Sequence, residues 1–300
     1  MAGEPVQIDL RDADAVCDAL LAGAGANRTA RCRSGSVDRI HSPGRLVATG
    51  DLHDNPFHFD AVVAAARLND PEGAHLTLHE MIHSDRLLGG VDMSYRALAR
   101  AASLKAAFPE RIHTLLANHE LSQMVGAGIV KDGVRVVEAF NAGIEYAFGG
   151  DAERVEAACV DFIRSMPLAL RAGGINREGQ PWEILCAHSI PSPAMMQRFD
   201  PGILSREIRE EDYEPRQGSA HLMVWGRGYD AELLEDLVER WGVNLFILGH
   251  EHAERGVRVV LPNAVVLNSD HEHGVYWPID LSAMPRATDA PGEAQALWTG

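Results

Sequence analysis

Four short apolar segments of this chain each end in side chains that can bind a metal ion or transfer a proton. They finish at Asp51-Leu52-His53, Asn118-His119-Glu120, His188 and His250-Glu251-His252. Such groups are costly to bury without partners, so we expect each segment to be a buried strand whose carboxyl end opens onto a site. The segment before Asn118, Leu115-Leu116-Ala117, is predicted as one of these strands.

The segments between these strand ends alternate in periodicity. A helical pattern covers residues 10 to 23, Pro56 can occupy the first turn of a helix, residues 75 to 78 alternate as a strand does, and residues 93 to 108 form an Ala-rich helix. Strand, helix, strand, helix, strand is typical of a parallel α/β fold.

We expect a single domain over residues 1–300, with a helical extension at 1–44 and a helical insertion at 126–164. Strands are predicted again at 168–172 and 183–187. A helix at 230–241 precedes the strand that leads to His250, and closing β-structure is expected at 257–267 and 275–279.

Composition excludes several classes of protein. The chain has 300 residues, is 46% hydrophobic and carries a formal net charge of -16, which disfavours a nucleic-acid backbone as the main partner. Its four cysteines form no C-x-x-C pair, and no apolar run approaches the roughly 20 residues that span a bilayer. These features predict a cytoplasmic protein with reduced thiols and no membrane partner.

Taken in order, the polar blocks resemble the signature of the calcineurin-like metallophosphoesterases, and within them the serine/threonine phosphoprotein phosphatase branch. The family pattern is Gly-Asp-x-His, Gly-Asp-x-x-Asp-Arg, Gly-Asn-His-Glu, a lone His after a strand, and Gly-His-x-His. The matching residues are Gly50 to His53, His79-Glu80 with Asp85-Arg86, Ala117 to Glu120, His188, and Gly249 to His252. The resemblance covers roughly residues 45 to 280 and implies a mixed β-sandwich flanked by helices.

The resemblance also implies a centre of two metal ions. Asp51, His53 and His252 would hold one ion, while Asn118, His188 and His250 would hold the other, with Glu80 as the bridging carboxylate. Such a pair clamps phosphate oxygens and ionises a bridging water, which then attacks the phosphorus. Mixed nitrogen and oxygen ligands suit Mn, Fe or Zn better than Ca, and we favour Mn.

Three further roles follow from the same resemblance. His119 would protonate the leaving alkoxide, Asp85 would orient His119, and Arg86 would hold a phosphate oxygen. Arg227 and Asn118 are further candidates for contact with the substrate phosphate. Arg227 follows Trp225, at a place where related phosphatases have a Trp-containing strand. Glu120 is expected to orient a ligand or to begin the next helix.

The second block departs from the family pattern. Glu80 stands where the family has an aspartate, and Asp85-Arg86 follows two residues later than expected. These departures indicate a divergent subgroup. The predicted activity is phosphomonoester hydrolysis on a phosphoprotein or a phosphorylated small molecule such as a nucleotide, and the alternatives are a diadenosine-polyphosphate hydrolase or a phosphodiesterase.

The same block supports an alternative from another class. His79-Glu80-Met81-Ile82-His83 is a complete H-E-x-x-H, which on a helix would bind zinc for a peptidase with Glu80 as general base. The preceding residues alternate as a strand, however, and the peptidase hypothesis leaves the ligands at the other strand ends unexplained. A regulatory binding protein with an inert site is a third hypothesis.

Overall fold

The computed structural model describes residues 8–131, 133–176 and 178–298. Its α-helices are α1 Ala13–Thr29, α2 Pro56–Ala66, α3 Tyr95–Ala107, α4 Asn118–Val125, α5 Val136–Phe148, α6 Ala152–Ser165, α7 Ser219–Val224, α8 Ala231–Trp241 and α9 Ala290–Glu293. Short 3-10 helices lie at Gly149–Asp151, Pro193–Met195, Pro201–Ser205, Glu210–Tyr213 and Ala287–Asp289.

The strands form two large sheets and one small hairpin. They are β1 Arg33–Ser34, β2 Val37–His41, β3 Arg45–Thr49, β4 His75–Leu78, β5 Ile112–Thr114, β6 Val130–Lys131, β7 Val134–Arg135, β8 Ala169–Ile175, β9 Pro181–Ala187, β10 Leu245–Leu248, β11 Val257–Val260, β12 Ala264–Leu267, β13 Val275–Asp280 and β14 Gln295–Ala296. One sheet has the order β1-β2-β8-β9-β10-β12-β11, the second has β14-β13-β3-β4-β5, and β6 pairs with β7.

Both large sheets mix parallel and antiparallel pairs. In the second sheet β3, β4 and β5 are parallel, whereas β13 is antiparallel to β3. In the first sheet β9, β10 and β12 are parallel, and β11 is antiparallel to β12. β8 is antiparallel to β9 but parallel to β2. The predicted mixed β-sandwich flanked by helices is therefore confirmed.

Alternation of side chains along each strand produces two apolar layers. Leu46 and Ala48 of β3 meet Ile184 of β9, Ile247 of β10 and Trp277 of β13 in a core between the sheets. The alternate positions of these strands face outward onto the helices, where they join a larger core with residues of α1, α2, α3, α6 and α8. Because the period of a strand is two, each strand contributes to both layers.

A buried polar network joins the edges of the two sheets. Asp38 on β2 accepts a hydrogen bond from Nδ1 of His113 on β5 (2.7 Å), and the Lys105 ammonium of α3 lies 3.8 Å from the same carboxylate oxygen. Nε2 of His113 lies 3.1 Å from Nδ1 of His75 on β4. Arg33 donates to the other oxygen of Asp38 at 3.0 Å, so this buried carboxylate is balanced by cations.

Three segments differ from the sequence predictions. The strand expected at Leu115-Leu116-Ala117 is a buried connection, because β5 ends at Thr114 and α4 begins at Asn118. The segment 126–164 contains α5 and most of α6, as expected, but the β6–β7 hairpin precedes them. Residues 1–44 contain α1 and also contribute β1 and β2 to the first sheet.

Candidate metal centre

The carboxyl ends of strands from both sheets meet at one place. β3 leads into Asp51 and His53, β4 leads into Glu80, β9 leads into His188, and β10 leads into His250. Asn118 and His119 form the first turn of α4, after the short connection from β5. All of these side chains are buried: Asp51, His53, Glu80, Asn118, His119, His188 and His250.

Nε2 of His188, a predicted ligand atom, has three other predicted ligand atoms around it. This nitrogen lies 2.7 Å from Oδ1 of Asn118, 3.0 Å from Nδ1 of His250 and 3.6 Å from Oε2 of Glu80. Two imidazole nitrogens, an amide oxygen and a carboxylate oxygen form a donor set that first-row transition metals accept. The structure thus brings together the predicted ligands of one ion.

The other oxygen of Glu80 points to a different group. Oε1 of Glu80 lies 3.7 Å from Nε2 of His53 and 3.6 Å from Nε2 of His119. Nδ1 of His53 lies 3.0 Å from the carbonyl oxygen of Ile82, which can only accept, so Nδ1 carries the proton and Nε2 presents its lone pair. Each carboxylate oxygen of Glu80 therefore faces a separate set of ligand atoms.

The backbone at His250, after a strand of the other sheet, positions Asp51. Asp51 also lies beside His79, a residue that was not predicted to belong to this site. The amide N–H of His250 donates to both carboxylate oxygens of Asp51 (3.0 and 3.1 Å). Oδ1 of Asp51 also lies 3.6 Å from Nδ1 of His79. Nε2 of His79 donates to the carbonyl oxygen of Thr49 (2.9 Å), which leaves the lone pair of His79 on Nδ1. Its position directly before Glu80 at a strand end was the sequence signal for this residue.

The electrostatics of the cluster fit bound cations. Burial, together with the negative charges of Asp51 and Glu120, raises the pKa of Glu80 well above its ordinary value. Nε2 of His53 and Nδ1 of His79 present lone pairs, because the other nitrogen of each ring donates to a backbone carbonyl oxygen. A positive ion among these donors would offset the repulsion of the buried carboxylates and occupy the free lone pairs.

Glu120 holds the loop that carries Glu80. Its Oε1 accepts hydrogen bonds from the backbone N–H groups of Met81 (2.6 Å) and Ile82 (3.3 Å). Burial raises the pKa of Glu120 to about 7. The last residue of the Asn-His-Glu block therefore belongs to the first turn of α4 and also fixes the loop that follows β4.

Left-handed backbone conformations aim several of these side chains inward. The φ angles are 42° at His53, 51° at Glu80, 60° at His83 and 66° at His250. Such angles are unfavourable for residues with a Cβ and cluster at functional sites. Each of them lies in the segment that follows a strand.

His83 and not Asp85 contacts His119. Nδ1 of His83 lies 2.9 Å from Nδ1 of His119, and burial lowers the pKa of His83 to about 4, so its ring is neutral near pH 7. Asp85 is exposed and pairs with Lys131 (3.0 Å), while Arg86 donates through Nη2 to the carbonyl oxygen of His53 (2.6 Å). The side chain predicted to orient His119 thus lies elsewhere, and Arg86 lies at the edge of the centre.

The remaining predicted residues line an open cleft of about 570 Å³ beside Asp51 and His250. Arg227 and His252 are both exposed there, and the His252 ring lies 5.9 Å from the ring of His271. Within the described chain, His252 is not among the groups of metal-capable side chains that include Asp51 or His53. The residues before Trp225 form α7 and not the expected strand.

The geometry is incompatible with a helical H-E-x-x-H site. Residues 79–83 follow β4 as an irregular loop, with left-handed backbone at Glu80 and His83. His79 contacts His188 (Nδ1 to Nδ1, 3.2 Å), whereas His83 contacts His119 and Gln123. The two histidines therefore serve different partners, and the arrangement for a zinc peptidase is absent from this loop.

Comparison with known proteins gives one family match and several solved structures with the same fold. The model of the calcineurin-like phosphoesterase family matches residues 44–254. A serine/threonine phosphatase from Saccharomyces cerevisiae, described as similar to human phosphatase PP5, superposes with a TM-score of 0.60 at 13% identity over 90% of this chain and 83% of its own. A cold-active protein-tyrosine phosphatase from a psychrophilic Shewanella superposes with a TM-score of 0.54 at 12% identity over 87% and 82%. No curated protein sequence matches this chain.

The chain belongs to the calcineurin-like phosphoesterase family, which confirms the resemblance inferred from its motifs. It is a hydrolase of this family. The family uses divalent metal ions, and the strand-end cluster supplies the side chains that could hold them. Among the described residues, no helix has the length and apolar character needed to cross a bilayer.

Proposed function

We propose that this protein hydrolyses phosphomonoesters at a centre of two metal ions. Glu80 would bridge the ions, Asn118, His188 and His250 would hold one of them, and Asp51 and His53 would hold the other. The observation that carries this proposal is the Glu80 carboxylate, because one of its oxygens lies 3.6 Å from His188 and the other lies 3.7 Å from His53. The solved structures that share the fold are described as protein phosphatases, which supports a phosphate monoester as the substrate.

The two bound ions, Mn, Fe or Zn with Mn favoured, would neutralise phosphate oxygens and activate a water molecule. The chain's own residues have three tasks in the proposed reaction. Arg227, exposed in the cleft, and Arg86, which donates to the carbonyl oxygen of His53, are the candidates to bind the phosphate oxygens, with Asn118 as a further contact. His119 directs Nε2 toward the centre, 3.6 Å from Glu80, and would give a proton to the leaving oxygen as the P–O bond breaks. Glu120 holds the loop that carries Glu80 in position, because its carboxylate accepts hydrogen bonds from the N–H groups of Met81 and Ile82.

His252 is the least supported of the proposed ligands. It is exposed on the cleft wall, so a role in holding an ion beside Asp51 would require its ring to turn inward. A role at the rim of the cleft, next to Arg227 and His271, needs no such change.

The test combines metal analysis with rates on three substrates. The purified protein should contain about two equivalents of a transition metal, and it should hydrolyse p-nitrophenyl phosphate faster than bis-p-nitrophenyl phosphate or diadenosine tetraphosphate. On phenyl phosphate, whose leaving group needs a proton, His119→Ala should lower the rate by about 100-fold or more, the usual contribution of a positioned proton donor. Faster turnover of the diester or of the dinucleotide would replace the monoesterase proposal with one of its alternatives, and no turnover with Mn, Fe or Zn would refute the enzymatic proposal.

A further inference from the structure

We infer that His83 is the residue that orients His119, and that a hydrogen-bond chain from the helical insertion holds His83 in place. The inference rests on the proposed role of His119 as proton donor. It gives a role to the second histidine of the H-E-x-x-H sequence, which neither the metal ligands nor the peptidase hypothesis explains.

The contact joins one nitrogen of each ring. Nδ1 of His83 lies 2.9 Å from Nδ1 of His119, and the ring centroids are 5.0 Å apart at an angle of 61°. His83 is fully buried and His119 is 7% exposed. At this distance one nitrogen must donate a proton and the other must accept it.

The neighbours of His83 decide which nitrogen donates. Nε2 of Gln123 donates to Oδ1 of Asn141 on α5 (2.6 Å), so Oε1 of Gln123 is the atom that faces Nε2 of His83 at 3.0 Å. A carbonyl oxygen can only accept, so the His83 proton lies on Nε2 and the lone pair lies on Nδ1. Nδ1 of His119 therefore carries the donated proton.

This arrangement leaves the other nitrogen of His119 free for chemistry. Nε2 of His119 faces the metal centre, 3.6 Å from Glu80. In the proposed step His119 enters as the imidazolium, with one proton on each nitrogen. The P–O electron pair moves to the leaving oxygen, which takes the Nε2 proton and leaves a neutral His119 whose remaining proton, on Nδ1, is donated to His83. His83 keeps its own proton and holds the His119 ring through Nδ1, so it is a positioning residue.

His83 is itself held firmly. Its backbone N–H donates to Oγ of Ser94 (3.0 Å), and its ring packs edge-on against Phe140 of α5 with centroids 5.8 Å apart. The insertion thus supplies both Asn141 and Phe140 to the support of the proton donor. In sequence, His83 follows Glu80 by three residues, the spacing at which the family pattern places its second aspartate after the bridging one.

The test compares substrates whose leaving groups differ in their need for a proton. His83→Ala should lower kcat on phenyl phosphate by about 10- to 100-fold, the usual cost of losing a group that orients a catalytic residue. It should change kcat on p-nitrophenyl phosphate much less, because nitrophenolate leaves without a proton, and KM should hardly move. His83→Asn, whose amide oxygen can accept from Nδ1 of His119, should recover part of the loss. His75→Gln is the matched control at a histidine outside the site, and thermal melting checks that each variant is folded.

A double variant separates this inference from the proposed function. If His119 is the donor and His83 acts through it, His83→Ala should add nothing in a His119→Ala background. An unchanged rate on phenyl phosphate in His119→Ala would refute the proposed proton donor. If the rate on phenyl phosphate falls in His119→Ala while His83→Ala has wild-type rates on both substrates, only the role of His83 is refuted. The same conclusion would follow if a rate loss that depends on the leaving group appeared in Asp85→Asn and not in His83→Ala.

A spectroscopic measurement tests the hydrogen-bond chain without reference to turnover. In protein loaded with diamagnetic Zn²⁺, ¹⁵N shifts of labelled histidines, assigned with the two variants, should show His83 protonated on Nε2 and His119 protonated on Nδ1. The opposite tautomer at His83 would overturn the inference even in a protein that hydrolyses none of the test substrates.

Discussion

At the scale of single residues, the bridging position is the most informative departure from the family pattern. Glu80 has one methylene more than aspartate, and the chain accommodates it through a left-handed backbone with φ of 51°. The carbonyl oxygen of Glu80 also accepts from the N–H groups of Leu52 (3.2 Å) and His53 (2.7 Å), which ties the loops after β3 and β4 together. These hydrogen bonds fix the backbone of Glu80, and its longer side chain places one carboxylate oxygen toward each of the two groups of ligand atoms.

Replacing Glu80 tests this bridge. Glu80→Gln keeps the shape of the side chain but removes its charge, so we expect the metal content to fall from two equivalents toward one. With less bound metal, Glu80→Gln should lose several kcal/mol of transition-state stabilisation. This loss corresponds to a fall in kcat/KM of at least about 100-fold. Glu80→Asp, the residue of the family pattern, is the matched control and should retain more metal. Two tightly bound equivalents in Glu80→Gln, measured by elemental analysis, would show that Glu80 is no bridge.

Gly249 is a second residue that is important for the metal centre, because the space beside it leaves no room for a Cβ. A Cβ at this position would collide with Oδ1 of Asp51 and would lie 2.6 Å from Cε1 of His79. Gly249→Ala should therefore displace Asp51 and weaken metal binding while the sheets remain folded. Isothermal titration of the metal-free protein with Mn²⁺ measures the effect, and an unchanged affinity would contradict it.

At the scale of elements, helix α1 packs closely against α3. A Cβ on Gly23 would lie 2.7 Å from Cα of Ala102, whereas a Cβ on Gly25, in the same helix, would have no described residue within 4 Å. Gly23→Ala should destabilise the protein by roughly 1–3 kcal/mol through overpacking. Gly25→Ala should stabilise it by roughly 0.5–1 kcal/mol, because alanine favours the helix. Urea denaturation of both variants tests the contrast, and equal effects would argue against this packing.

The sequence predicted the elements that have a strong periodic pattern. Helix α2 begins at Pro56, as expected, and Asn55 caps it. The strands at 75–78 and 183–187 were recognised from their apolar residues. The hairpin β6–β7 was missed because each of its strands has only two residues. The strand expected before Trp225 came from the resemblance to related phosphatases, and this segment forms α7 instead. Leu222-Met223-Val224 is a short apolar run, and such a run has no period that distinguishes a helix from a strand.

The site was predicted in part, for a similar reason. Ligand residues at strand ends are visible in a sequence because apolar runs stop abruptly at Asp51, His188 and His250. The positions of His79 and His83 depend on left-handed turns at Glu80 and His83 themselves, and residues with a Cβ carry no local signal for such turns. The contact between His83 and His119 also needs the insertion helix, which is remote in sequence.

At the scale of the whole molecule, buried neutral histidines make stability depend on pH. Burial, with the charges of His113 and Arg111 nearby, lowers the pKa of His75 to about 3, below its ordinary value near 6.5. The unfolded chain takes up this proton below pH 6.5 and the folded chain does not, so stability falls as pH falls from about 6.5 toward 3.

His75→Gln removes this proton and retains a hydrogen-bond donor toward His113. The slope of unfolding free energy against pH, between about pH 6 and 5, should become less steep by up to about 1.4 kcal/mol per pH unit. Urea denaturation at several pH values gives both slopes. Identical slopes in wild type and variant would mean that His75 is protonated in the folded protein too.

Metal removal should lower the stability of the whole fold, because the ligands come from both sheets. Ions at 100 times their dissociation constant add about 2.7 kcal/mol to the unfolding free energy. We therefore expect treatment with a chelator to lower Tm and addition of Mn²⁺ to restore it. A melting temperature insensitive to both would contradict the proposed metal centre.

The Glu80 carboxylate makes the two proposed metal positions interdependent. A first ion would order the side chain for the second and would also withdraw part of its negative charge, so the two binding events share one free-energy coupling that acts equally in both directions. If this coupling is favourable, protein with a single ion should be rare during loading. If the coupling is unfavourable, protein with a single ion should dominate. Cooperativity of metal loading would therefore be a property of one side chain, with one oxygen directed to each position.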